Sequence, residues 1–212
     1  MRNRTLVAYA SRYGSTREIA EQVAAVLRAA GLDTDCRPMN DIRTVDEYRA
    51  FVLGAPFYYG RWPRPARRFL SRFGHVLAHR DVAVFATGQV DPQQPVEEIR
   101  EQLDAMLAHY DWLRPFLLGM FGGRWDPAGL SWPMRMLRKL PASPLRVLPA
   151  TDLRNWEDIK TWADRVAADL KAHVAQPNQS GAAADHGSRS GAPWSLIQAY
   201  VEDQQREPRK SR

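Results

Sequence analysis

A chain of 212 residues, 44% of them hydrophobic, can bury one substantial core, which favours one domain or one domain with a tail. Its single cysteine, Cys36, excludes an internal disulfide, no cysteine and histidine spacing matches a zinc site, and no apolar run approaches the roughly 18 residues that span a membrane. The formal net charge of +6 selects anionic partners: lipid headgroups, nucleic acid or a carboxylate-bearing small molecule.

Arg4 to Ala10 has the β-branched and apolar character of a central strand, and Ile19, Ala20, Val23, Val26 and Leu27 mark a helix from Thr16 to Ala30. The apolar start is broken by Ser11 and Arg12 too early for a signal-peptide core, so a cytoplasmic location is expected. Between strand and helix lies the loop Ser11-Arg12-Tyr13-Gly14-Ser15-Thr16. The first turn of a helix leaves backbone N–H groups without partners at the positive end of the helix dipole, where an anion settles readily. Ser11, Ser15 and Thr16 can each donate a hydroxyl hydrogen bond to a phosphate oxygen, Gly14 permits close approach or positive φ, and Arg12 adds charge. The patterns GxxxxGK[ST] and GxGxxG are both absent, so the loop suits holding a phosphomonoester rather than cleaving one. The competing reading is a plain helix N-cap at Ser15 or Thr16 with no ligand.

Gly31 stops the helix, and Asp33 to Met39 reads as a second strand in which Cys36 is expected to be buried as a small apolar residue. Ala50 to Ala55 is a continuous apolar run, as expected of a parallel strand covered on both faces. After it, Phe57, Tyr58, Tyr59, Gly60 and Trp62 crowd a loop at a strand's carboxyl end, where ligands of open α/β sheets bind. A planar ring could stack there, or the aromatic residues pack against the next helix. That helix, Arg64 to His79, sets Ala66, Phe69, Leu70, Phe73 and Leu77 on one face and Arg64, Arg67, Arg68 and Arg72 on another, either a solvated surface or a dock for anionic groups. His75 and His79 are four apart, but no third metal ligand accompanies them.

Asp81 to Gly88 is a further strand, Val96 to Tyr110 a helix, and Phe116 to Phe121 the fifth strand. A mixed basic and apolar insert follows at about 124–150, with Arg135, Arg138 and Lys139 among tryptophans and methionines, suited to an interface or to packing on its own domain. Trp156, Ile159, Trp162, Ala163, Val166, Ala167 and Leu170 line the final helix. Beyond Ala175 the composition of residues 176–212 is that of a flexible tail, with one short amphipathic stretch at Trp194 to Val201. Repeated strand and helix alternation implies an α/β doubly wound sheet.

The segment Tyr9 to Ala20, YASRYGSTREIA, resembles the FMN-phosphate loop of flavodoxins, and more closely that of the flavodoxin-type, menaquinone-dependent protoporphyrinogen oxidase family. Gly54-Ala55 followed by Tyr59-Gly60, the basic insert, and Thr151-Asp152 before Trp156-Glu157 are similar to that family as well. The resemblance covers about Arg4 to Val174 and implies a flavodoxin-like five-stranded parallel sheet with helices on both faces, residues 1–175 forming the domain. It implies FMN as cofactor, held by Ser11, Arg12, Tyr13, Gly14, Ser15 and Thr16 and flanked by Phe57, Tyr58, Tyr59 and Gly60 on one side and Thr87, Gly88 and Gln89 on the other. The redox chemistry is then the cofactor's, and no catalytic acid, base or metal is required. The implied activity passes electrons from a porphyrinogen-like small molecule to a quinone or redox partner, with peripheral contact to the inner face of the cell membrane through the insert and no nucleic-acid partner. A flavodoxin-like electron carrier without its own substrate is the alternative.

Overall fold

Successive residues of the first strand enter different cores, Leu6 and Ala8 one and Val7 the other, so the strand is buried on both faces. This two-sided burial is what a continuous apolar run achieves only inside a parallel sheet covered by helices. The computed structural model describes residues 4–57, 61–89, 96–125 and 151–175. Strands β1 (Arg4–Tyr9), β2 (Asp33–Pro38), β3 (Tyr48–Pro56), β4 (Asp81–Gln89) and β5 (Leu117–Gly122) form one parallel sheet in the order β2-β1-β3-β4-β5. Helices α1 (Ser15–Ala29) and α4 (Trp156–Ala175) cover one face, and α2 (Arg64–Leu77) and α3 (Val96–Leu107) the other. The doubly wound architecture expected from the alternation of elements is therefore present. Tyr58, Tyr59 and Gly60, most of the insert (126–150) and the tail (176–212, with Trp194 to Val201) lie outside the described residues.

Helix α1 begins and ends on glycines in the left-handed region. Gly14 (φ 92°) precedes it, and Gly31 (φ 85°) follows, where the Gly31 N–H donates to the Arg28 carbonyl and the Leu32 N–H to the Leu27 carbonyl. That pair of bonds is a Schellman closure, which satisfies carbonyls the helix would otherwise leave open. Glu18 in its first turn and Arg28 in its last both oppose the helix dipole favourably.

On the α1 and α4 face, glycines make room for aromatic rings. Phe85 of β4 sits in register between Gly54 of β3 and Gly119 of β5. A Cβ on Gly54 would lie 2.0 Å from Phe85 Cζ, and one on Gly119 would lie 2.8 Å from the Trp162 indole. Phe85, Phe121 and Trp162 pack with centroids 5.6 to 5.9 Å apart, mostly edge to face.

Some boundaries differ from the sequence reading. Strand β3 starts at Tyr48, which is buried and donates its hydroxyl to Asp35 at 2.6 Å. Helix α2 ends at Leu77, leaving His79 beyond it, and α3 ends at Leu107 rather than Tyr110. Cys36 is half-buried rather than buried, because β2 is the edge strand, yet desolvation still pushes its thiol up to about 11. A two-stranded antiparallel ribbon, β6 (Arg124–Trp125) with β7 (Thr151–Asp152), joins the two ends of the insert, which the sequence reading left without strands.

Candidate functional site

Strand order reverses at β1, whose neighbours are β2 on one side and β3 on the other, so the crevice for a ligand opens at the carboxyl ends of β1 and β3. The loop after β1 has the parts of an anion site. Gly14 occupies the N-cap position of α1 with no side chain bonding there, and its carbonyl accepts the first helical bond from the Glu18 N–H at 3.0 Å. The N–H groups of Ser15, Thr16 and Arg17 therefore have no acceptor within the helix. The Gly14 N–H donates to Ser11 Oγ at 3.1 Å, closing the loop while leaving the Ser11 hydroxyl proton for another acceptor. Arg12 stacks its guanidinium on Tyr13, 5.3 Å from the ring centroid.

Neither Ser15 nor Thr16 is a side-chain cap. Thr16, 3% exposed, shares a 2.8 Å hydroxyl hydrogen bond with Thr87. That bond ties the start of α1 to the end of β4. The Phe57 N–H donates to the Thr87 carbonyl at 2.7 Å, and a Cβ on Gly88 would lie 2.7 Å from the Phe57 carbonyl oxygen. The ends of β3 and β4 are thus held too closely for any residue but glycine at position 88.

Of the residues picked from the sequence, Ser11, Arg12, Tyr13, Ser15, Thr16, Thr87 and Gly88 line one cleft. Gly14 caps the helix behind it, and Phe57 is buried beside Gly88 rather than on the cleft wall. Gln89 closes β4 in register with Gly122. Two residues that sequence reasoning missed complete the cleft, Gly123 and Arg124. The signal was present, since they follow directly on the carboxyl end of β5, the edge at which such sheets bind ligands.

Arg124 is fixed to the loop through its backbone, whose N–H donates to Ser15 Oγ at 3.1 Å, and its Nη1 lies 3.6 Å from Glu18 Oε2. Behind it Arg154, its side chain 4% exposed, reaches Glu18 through Nη1 and grips Asp152 with Nε and Nη2 at 2.7 and 2.6 Å. The hydrogen bonds from Arg154 hold the Asp152 carboxyl below its ordinary range, and those to Asp152 raise the guanidinium further still. The Leu153 N–H donates to the Gly123 carbonyl at 3.0 Å, and a Cβ on Gly122 would collide with the Leu153 carbonyl oxygen. The base of the insert is consequently a wall of the loop.

A second cleft of about 430 Å³ lies against α2 and α3, lined by Arg61, Trp62, Arg67, Met106, His109 and Tyr110 with Ala105. His109 donates Nδ1–H to the Ala105 carbonyl at 2.8 Å in the tautomer that makes this bond. Trp62 is 2% exposed, and its Nε1 finds no acceptor among the described residues.

The first cleft fits a phosphomonoester: a helix N-terminus without a side-chain cap, two serines and two arginines line it, with no carboxylate among its lining residues. The family model described as a flavodoxin domain matches residues 6–143. The chain belongs to the flavodoxin domain family. FMN is accordingly its cofactor, and the chain is an FMN-binding redox protein. A protoporphyrinogen IX dehydrogenase [quinone] from Escherichia coli strain K12 is 21% identical over 172 residues, covering 77% of this chain and 94% of that protein. Among solved structures, a rubredoxin oxygen:oxidoreductase from Desulfovibrio gigas superposes with a TM-score of 0.51 and 17% identity, over 82% of this chain and 37% of that one. A flavodoxin from Pseudomonas aeruginosa, carrying a single cysteine-to-serine substitution, gives 0.50 and 18%, over 79% and 99%. Both likenesses show the fold. Among the described residues no helix is long and apolar enough to cross a membrane.

Proposed function

We propose that the chain is an FMN-dependent oxidoreductase that takes an electron pair and the accompanying protons from a porphyrinogen-like substrate and delivers them to a quinone, which leaves as the quinol. The observation that carries this reading is the match to the Escherichia coli dehydrogenase, which extends over nearly all of that protein. The cationic cleft supports it. Arg61 and Arg67 stand at the start of α2, whose first turn holds no acidic residue, so helix dipole and side chains together attract carboxylates to an aromatic floor of Trp62 and Tyr110.

In this reading the N–H groups opening α1, with Ser11 and Ser15 and with Gly14 shaping the turn behind them, would hold the FMN phosphate, while Arg12 and Tyr13 would border it. The loops from Phe57 to Gly60 and from Thr87 to Gln89 would flank the flavin ring. FMN, when bound, supplies the acceptor for the electron pair. The chain supplies position, excludes water, and surrounds the site with positive charge that favours an added negative one. The domain ends with α4, and the basic insert, with Arg135, Arg138 and Lys139, contacts an anionic membrane surface where quinones reside.

The test is an absorbance titration of the protein with FMN, followed by anaerobic mixing with protoporphyrinogen and a menaquinone analogue. Near-equimolar flavin together with quinone-dependent porphyrin formation is expected. Bound flavin without that turnover would overturn the substrate assignment and favour an electron carrier.

A further inference from the structure

The geometry points to Arg124 as the residue that reads the FMN phosphate, with Arg154 as the positioning residue that leaves it able to do so. This rests on the phosphate of FMN lying at the start of α1. That helix end carries a liability, because Glu18 sits in its first turn, with Oε1 only 3.8 Å from where a Cβ on Gly14 would be. An unneutralised carboxylate there repels a phosphate dianion. Two arginines answer it from the far end of the sequence, and they do so differently.

Arg154 is almost entirely buried and is shared between two carboxylates, Glu18 and Asp152, by close, charge-assisted hydrogen bonds. Its role is to cancel Glu18. Arg124 is placed otherwise. Its backbone is clamped twice, by the N–H bond to Ser15 Oγ and by pairing of β6 with β7, in which Arg124 faces Asp152. Arg124 lines the cleft, its side chain is partly exposed, and among its contacts Nη1 lies 3.6 Å from Glu18 Oε2. The Cα is thereby fixed beside the loop, and the guanidinium stands near Glu18 at the cleft. A phosphate at the α1 N-terminus offers it a bidentate partner of higher charge, and Arg154 keeps Glu18 paired when Arg124 turns to it. The discrimination of FMN from riboflavin, which lacks only the phosphate, is therefore assigned to a residue beyond β5 as well as to the loop.

The test uses the full chain freed of flavin and titrated separately with FMN and with riboflavin by fluorescence quenching. Arg124→Gln is expected to weaken FMN binding by about tenfold or more and to leave riboflavin binding within about twofold. Arg124→Lys should recover part of the loss, since a point charge replaces the fork but not its geometry. Arg154→Gln should also weaken FMN selectively, and adding Glu18→Gln to it should restore binding, a rescue that simple structural damage would not show. If Arg124→Gln leaves FMN affinity unchanged while the unaltered chain still prefers FMN to riboflavin, the role of Arg124 is overturned and the phosphate loop stands. Equal loss of FMN and riboflavin in that variant also overturns it. An unaltered chain with no preference for FMN would overturn the loop assignment itself, and the role of Arg124 with it.

Discussion

The two faces of the sheet solve opposite problems. On the α1 and α4 face, glycines at 54 and 119 let Phe85, Phe121 and Trp162 lock together, and α1 shares the core that contains this aromatic layer. On the α2 and α3 face the core is as apolar, but it opens into the cleft bordered by Arg61 and Arg67. The difference teaches where precision is needed. In the proposed reading, the loop that would present backbone N–H groups to the phosphate is mounted on the aromatic side, and the surface that would admit a larger organic molecule lies on the side with the wider cleft.

Removing the centre of the rigid face should have the largest effect. Trp162→Ala is expected to cost about 4 kcal/mol in urea unfolding. A loss below about 1 kcal/mol would mean that the aromatic layer is not what supports α4. Next comes Gly54→Ala, which drives a methyl into the Phe85 ring and should cost about 2 kcal/mol. Adding Phe85→Leu should recover part of that loss, and strictly additive losses would break the interlock.

A smaller, pH-dependent effect is expected at Asp152. Its carboxyl is depressed by Arg154, so the stability it contributes is fully present above its unfolded value and is lost as pH falls through the lower folded value. Asp152 is partly exposed, so the gain is below about 1 kcal/mol. Acid unfolding of Asp152→Asn should therefore show a shallower dependence below about pH 4 than the unaltered chain, and identical acid curves would remove the clamp from the account. Smallest in stability, on the open face, is Arg67→Gln. It should move unfolding by less than about 0.5 kcal/mol while raising the KM for a carboxylate-bearing substrate, and a change in kcat alone would separate the cleft from binding.

The sheet and its helices were legible because period and apolar runs are local signals, and β1, α1 and β4 fall close to where the sequence puts them. The loop from Ser11 to Thr16 was legible as a composition, but the use of its hydroxyls was not. Ser15 Oγ accepts a backbone bond from Arg124 and Thr16 pairs with Thr87, partners far away in the chain that no window of sequence contains. Cys36 was misjudged for a related reason, since whether a strand lies at the edge of its sheet is a property of topology. Arg124 and Arg154 read as members of a basic insert and of a helix entry, and their meeting at Glu18 is visible only once β6 and β7 pair.

The bond between Glu18 and Arg154 spans most of the domain in sequence, and it has a bearing on how the protein is made. On the ribosome, the segment bearing Gly14 emerges first, and the arginines that neutralise its carboxylate emerge long afterwards. A nascent chain that has formed β1 and α1 still presents an uncompensated negative charge beside the proposed phosphate site. If Arg154 is needed to neutralise Glu18, cofactor capture is expected to wait until synthesis has passed residue 154.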